Sequence, residues 1–241
     1  MRKNWIINIQ LIAIFGLVIF LYSFTSKRNE QRKISKPQIE FLNAESPFVT
    51  HEMVNNLLIE KFGGASTIKK ENLDLKSIEQ TLNKHSLIDD SEVYVSVDGK
   101  LKTIVKQKSP IARVFSNNAS FYIDYEGGKM PLSENFSARV PLVYGKINTA
   151  KDKNFVSLLQ MVYNDDFLKK NIIGMQVLED GSVIMKNRNY GYDIIFGRTI
   201  NMERKFNNYK AFFQKAVQDT LIDSYKSVNL KFTKQVVCTK E

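Results

Sequence analysis

From Trp5 to Phe24 the chain reads WIINIQLIAIFGLVIFLYSF without one charged residue, and no other apolar run approaches that length. A helix rising about 1.5 Å per residue needs roughly 20 apolar residues to cross a bilayer core. The run therefore predicts a single transmembrane helix over 5–24 behind a short tail over 1–4. A cleaved secretory signal would carry a shorter apolar region and a small-residue cleavage site. Tyr22-Ser23-Phe24-Thr25-Ser26 offers none, so an uncleaved anchor is expected. Cations flank both ends, Arg2 and Lys3 before the run and Lys27, Arg28, Arg32, Lys33 and Lys36 after it, and their count favours the opposite orientation. Long domains translocate largely regardless of flanking charge. The expectation is a cytoplasmic N-terminus and an exported remainder.

Beyond the anchor the periodicity changes repeatedly. Residues 25–36 are polar and basic and read as a linker. Ile39, Phe41 and Leu42 start a strand. Val54, Leu57, Leu58 and Phe62 recur at helical spacing after Thr50, which can cap, and before Gly63-Gly64, which can stop the helix. Asp74 caps a second helix through Leu75, Ile78 and Leu82. Val93, Val95 and Val97 alternate into Asp98-Gly99 and back through Leu101, Thr103 and Val105, a hairpin pattern. This is one compact α+β module over 37–115, with Pro110 at its junction.

Over 116–241 the pattern is mostly of strands: Phe121–Asp124, Val140–Tyr144, a hairpin through Met175, Val177, Val183 and Met185, then Tyr192–Phe196. Two amphipathic helices interrupt them, one through Phe155, Leu158, Leu159 and Val162, the other through Met202, Phe206, Tyr209, Phe213 and Val217. Val228, Leu230 and Phe232 alternate in a last strand. The fold class is thus α+β, with a mainly antiparallel second domain carrying two helices.

Charge changes the picture less than its total suggests. Net charge is +10, but residues 1–36 hold seven Lys or Arg and one acid, leaving 28 basic against 24 acidic residues from Pro37 onward. That balance does not describe a nucleic-acid surface. A single cysteine, Cys238, permits no internal disulfide. His51 and His85 stand alone as potential metal ligands, and Asp89-Asp90 and Asp165-Asp166 fall at element ends, where Asp caps or turns. Adjacent side chains diverge, so neither pair forms an acid/base couple. No enzyme, cofactor, metal or small-molecule substrate is expected.

Gln107-Lys108-Ser109-Pro110-Ile111-Ala112-Arg113-Val114, Phe121-Tyr122-Ile123-Asp124, Lys129-Met130-Pro131-Leu132-Ser133, Ser137-Ala138-Arg139-Val140-Pro141-Leu142-Val143 and the stretch from Val228 to Cys238, read behind an anchor and a basic linker, resemble the bacterial cell-division family FtsQ/DivIB. Lys108 departs from the family pattern, which usually has Arg there. The resemblance implies a POTRA-type domain over 37–115 and a β domain over 116–241, both outside the cytoplasmic membrane at the division septum. It implies a non-enzymatic protein that assembles the division machinery by binding FtsB-like and FtsL-like coiled-coil proteins. The family's contact region matches Val228, Asn229, Leu230, Lys231, Phe232, Thr233, Lys234, Gln235 and Val236. An unpaired terminal strand could accept a partner strand there. The rival readings are a membrane-anchored cell-wall hydrolase, which needs converging carboxylates, and a POTRA-type secretion chaperone, which would use the first module's sheet edge.

Overall fold

The computed structural model describes residues 2–30, 35–42, 47–62, 74–96, 99–116, 119–145, 147 and 152–240. The first helix, α1 (Arg2–Glu30), holds the span Asn8–Lys27, whose mean hydropathy is 2.0, long and apolar enough to cross a membrane by length and composition. It continues into the segment read as linker. The chain divides into two compact units, Met1–Glu45 with Val49–Gln107, and Ser46–Phe48 with Lys108–Glu241.

In the first unit β1 (Ser35–Phe41) is followed by α2 (His51–Phe62), α3 (Leu75–Asn83), β2 (Ile88–Val95) and β3 (Lys100–Gln107). Both helices start on the residues the sequence nominates. Thr50 Oγ1 accepts from Met53 N–H at 3.1 Å, and Asp74 Oδ1 from Ser77 N–H at 3.0 Å, each satisfying one of the helix's orphan donors. The sheet order is β1-β3-β2, with β1 parallel and β2 antiparallel to β3. Val54, Leu58, Ile78, Leu82, Val93, Leu101 and Val105 fill its core. The Gly63-Gly64 stop and Val97-Asp98 of the hairpin turn lie outside the described residues; Gly99 has φ 83°.

The second unit is built on a nine-stranded sheet. Its strands are β4 (Pro110–Ser116), β5 (Ala119–Asp124), β6 (Lys129–Met130), β7 (Leu142–Tyr144), β8 (Ile172–Val177), β9 (Val183–Asn187), β10 (Asp193–Gly197), β11 (Tyr225–Asn229) and β12 (Val237–Lys240), in the order β12-β11-β10-β9-β8-β7-β4-β5-β6. The sheet is mixed: β4–β7, β7–β8 and β10–β11 are parallel and the other five pairings antiparallel. Three helices, α4 (Lys153–Asn164), α5 (Asp166–Asn171) and α6 (Met202–Gln218), join one apolar core with Val114, Val143, Met175, Met185, Ile194 and Val228. The six-residue α5 has too few positions to show a helical period, which is why the pattern gave two helices.

Two buried polar arrangements fix this unit. Tyr192 and Tyr209 join hydroxyls at 2.9 Å, and Asn187 Nδ2 donates to Tyr209 Oη at 2.9 Å. Asn187 Oδ1 accepts from Asn189 and Tyr190 N–H. Burial pushes both phenols above their ordinary pKa, so they stay protonated. Near the start of the unit, Lys108 Nζ meets the buried carboxylate of Asp124 at 2.8 Å, and Gly128 N–H donates to its other oxygen at 2.6 Å. A Cβ on Gly128 would sit 2.7 Å from that carboxylate, so glycine is required there. A lysine therefore does make a fixed ion pair where the family pattern has Arg.

Tyr209→Phe removes the hydroxyl shared by Tyr192 and Asn187 while keeping the ring. The expected cost is about 1–3 kcal/mol, because a buried amide and phenol lose a partner. Denaturant unfolding of the variant measures it.

Candidate partner-binding edge

The terminal region folds as a hairpin rather than one strand. β11 ends at Asn229, whose Oδ1 accepts from Lys231 N–H at 3.0 Å, a local side-chain turn that draws the chain off the ladder. Val228 and Leu230 are buried as their alternation predicts, but Phe232 is 51% exposed. β11 is internal, parallel to β10 and antiparallel to β12. The stretch Val228–Val236 thus supplies an inner strand and a connecting loop, and the sheet's edge lies just beyond it in Val237–Lys240. The run Val236-Val237-Cys238-Thr239, rich in β-branched residues, was the signal for that strand.

Several contacts hold the hairpin. Leu230 N–H donates to Ile195 O at 2.9 Å, and Asn208 Nδ2 of α6 to Thr233 O at 3.1 Å. The Lys231 side chain passes over Gly197, where a Cβ would come within 2.8 Å of it. Beneath this turn Lys205, 2% exposed, donates to Phe196 O at 2.9 Å and Arg198 O at 2.7 Å. Burial lowers its pKa. Between α6 and the hairpin lies a groove of about 350 Å³ lined by Phe212, Ala216, Tyr225 and Val236, by Lys234, and by Lys215 paired with Asp219.

On β12, Cys238 stands opposite Val228 and packs toward the core, while Val237 and Thr239 stand opposite Asn229 and Ser227 on the other face. Burial raises the Cys238 pKa, keeping the thiol protonated. Among the described residues no strand follows β12 in the sheet, so every second N–H and C=O of Val237–Lys240 points away from the ladder. Lys226 on β11, Lys234 in the connecting loop and Lys240 on β12 itself are exposed, and residues 225–240 contain no acid.

The carboxylate pairs do not converge. Asp89 pairs with Lys106 at 2.7 Å, and Asp90 accepts from Asn83 and from Ser91 N–H. Asp165 caps α5 through Leu168 N–H at 3.0 Å and pairs with Lys210; Asp166 is exposed in the first turn. His51 sets its ring against Phe41, and His85 Nδ1 accepts from Leu87 N–H, its pKa lowered by burial. Among the described residues no cluster of three His, Cys, Asp or Glu side chains could hold a metal.

The edge of the first unit's sheet is different. β2 is one of its two end strands, β1 being the other, and on β2 Val93 N–H donates to Glu79 Oε1 of α3 at 2.9 Å, and Ser91 N–H to Asp90 Oδ1 at 2.9 Å. Ser91 Oγ donates to Asn83 Oδ1 at 2.7 Å. Side chains of α3 thus take the places an added strand would use.

A model of the family described as FtsQ/DivIB, C-terminal related, matches residues 109–239, more than half of the chain. No curated protein matches it.

Two outcomes test this geometry. Leu230→Ala should cost about 2–5 kcal/mol as a core truncation, and Phe232→Ala no more than about 0.5 kcal/mol as a surface change; denaturant unfolding separates them. Asp165 is depressed in pKa. Burial alone would raise it, but the Lys210 and Leu168 hydrogen bonds prevail. Its contribution to stability is then complete above the ordinary value of 3.8 and is lost as pH falls through the lower, folded value. Asp165→Asn keeps the cap acceptor and loses the charge, so its unfolding midpoint should fall less steeply than the wild type's between about pH 5 and pH 2.

Proposed function

Because the chain belongs to the FtsQ/DivIB, C-terminal related family, whose members are generally non-enzymatic division scaffolds, we propose that it assembles the bacterial division machinery by accepting an acidic partner strand on β12. The partners are FtsB-like and FtsL-like proteins. The protein is anchored in the inner membrane through residues 5–24 with its N-terminus cytoplasmic. Its POTRA-type domain (37–115) and β domain (116–241) are exported and act at the septum. The three-stranded sheet with two helices supports the POTRA-type reading, and the apolar helix α1 supports the anchor.

The observation that carries the proposal is the contrast between edges. β12 presents every second backbone group unpaired on its outer side, in a hairpin with exposed Lys226, Lys234 and Lys240, while β2 is closed by Glu79 and Asp90. Main-chain pairing along β12 gives affinity, and the lysines select an acidic strand and repel a second copy of β12. Val228–Val236 serve this site as the inner strand and loop that hold β12 in place, and the groove beside α6 receives side chains flanking the added strand. The closed β2 edge argues against a chaperone reading that pairs its client on β2. Asp89 and Asp165 paired with Lys106 and Lys210, and Asp90 bonded to Asn83 and Ser91, argue against the hydrolase.

Proline at Val237 and, separately, at Cys238 tests the mechanism. Successive N–H groups of a strand point to opposite sides, so one of the two donors lost is the outward one. That variant should keep its unfolding midpoint and lose co-purification of FtsB-like and FtsL-like partners, and cells carrying it should grow as filaments. Full partner recovery and normal septation in both variants would refute the site.

A further inference from the structure

Arg113 lies on the face of the second unit's sheet opposite the helices, in β4. Its guanidinium sits over the Phe115 ring at 5.1 Å and the Tyr122 ring at 5.9 Å, and Nε donates to Ser120 Oγ at 2.8 Å. Phe115 in turn stacks on Tyr144 of β7, centroids 5.6 Å apart and planes 18° apart. The parallel register sets Arg113 beside Leu142 and Phe115 beside Tyr144. Leu142 is 36% and Tyr144 48% exposed. The result is a guanidinium held flat by two rings and one hydroxyl, next to two exposed apolar side chains.

Among the described residues no aspartate or glutamate pairs with Arg113. Guanidinium carries five N–H donors in a planar fork, and Ser120 uses only the one on Nε. The open side of the fork matches a carboxylate, which it can grip with two parallel hydrogen bonds. The stacking has already fixed the side chain, so little rotamer entropy is lost on binding. Residues 108–241 carry 20 Lys or Arg against 13 Asp or Glu, a field that draws acidic partners toward the whole unit.

We propose that this shelf is a second docking site, for a protein segment that places an Asp or Glu carboxylate on Arg113 and an adjacent apolar side chain on Leu142 and Tyr144. It lies six strands from β12, about 29 Å at the usual strand spacing, so a strand added at β12 does not cover it. The site goes beyond the proposed function and does not require β12 to bind anything.

The full-length protein carrying the photo-crosslinking residue p-benzoylphenylalanine at Leu142 is irradiated in dividing cells, and the adduct is sequenced by mass spectrometry. The same residue at Thr239 reports on β12 in parallel. The expected Leu142 adduct is a peptide with Asp or Glu within a few residues of the attachment point. Arg113→Gln should lower its yield about tenfold, the loss of a bidentate charged contact, with the Thr239 yield and the unfolding midpoint unchanged. Arg113→Lys keeps the charge and the surface position but not the fork, and should also lower the yield. Arg113→Glu combined with Arg at the partner's acidic position should restore it. A lipid adduct, an adduct to a second copy of this chain, a peptide without an acidic residue, or a yield indifferent to both Arg113→Gln and Arg113→Lys would overturn the proposal. Loss of the Thr239 adduct alone would count against β12 and leave the shelf standing.

Discussion

A backbone N–H at the edge of a β-sheet has no partner from its own ladder, and it must find an acceptor in water, in a side chain or in another protein. Much of this molecule follows from how that demand is met at the β2, β6 and β12 edges. The β2 edge is met internally, by the Glu79 carboxylate and by Asp90 and Asn83 acting around Ser91. The β6 edge is only two residues long and is followed by Pro131, which has no N–H to offer. Among the described residues no further strand meets the β12 edge, and exposed Lys226, Lys234 and Lys240 belong to its hairpin. A charged edge of this kind resists self-pairing while remaining open to a complementary strand.

An open edge is useful only on a rigid support. The β11–β12 hairpin is held by β10, by the core through Val228 and Leu230, and by the Asn208 contact from α6 to Thr233 O in its loop. α6 is itself fixed by the Tyr209 hydroxyl inside the core and by Lys205 clamped to two carbonyls of the β10–α6 turn. Lys205 has no carboxylate partner there; its ammonium sits over the Phe196 ring at 4.6 Å. A buried cation answered only by carbonyls and a ring is costly unless every donor is placed. The turn under Lys231 is thus tightly specified.

Local signals were legible where one residue determines one hydrogen bond. Thr50, Asp74 and Asp165 cap the helices they precede, and the alternations through Val93 and Leu101 mark paired strands. What escaped the sequence depended on competition between local and ladder bonding. The alternation Val228, Leu230, Phe232 continues past the point where Asn229 turns the chain, and nothing in the apolar pattern records that turn. The parallel pairings of β7 are equally invisible, because register between strands far apart in sequence leaves no periodic mark. Charge hid for a third reason. Averaged from Pro37 onward it is nearly balanced, yet 37–107 holds 8 basic and 11 acidic residues while 108–241 holds 20 and 13. The opposite signs of 37–107 and 108–241 show only once the boundary is known.

Hydrogen–deuterium exchange of the full-length protein, alone and with its FtsB-like and FtsL-like partners bound, reads the edge N–H groups directly. The account predicts that exchange slows at Val237–Lys240 when the partners bind, and that Ser91 and Val93, already bonded to side chains, show no change. Unchanged exchange along β12 in the complex, or new protection confined to β2, would contradict it.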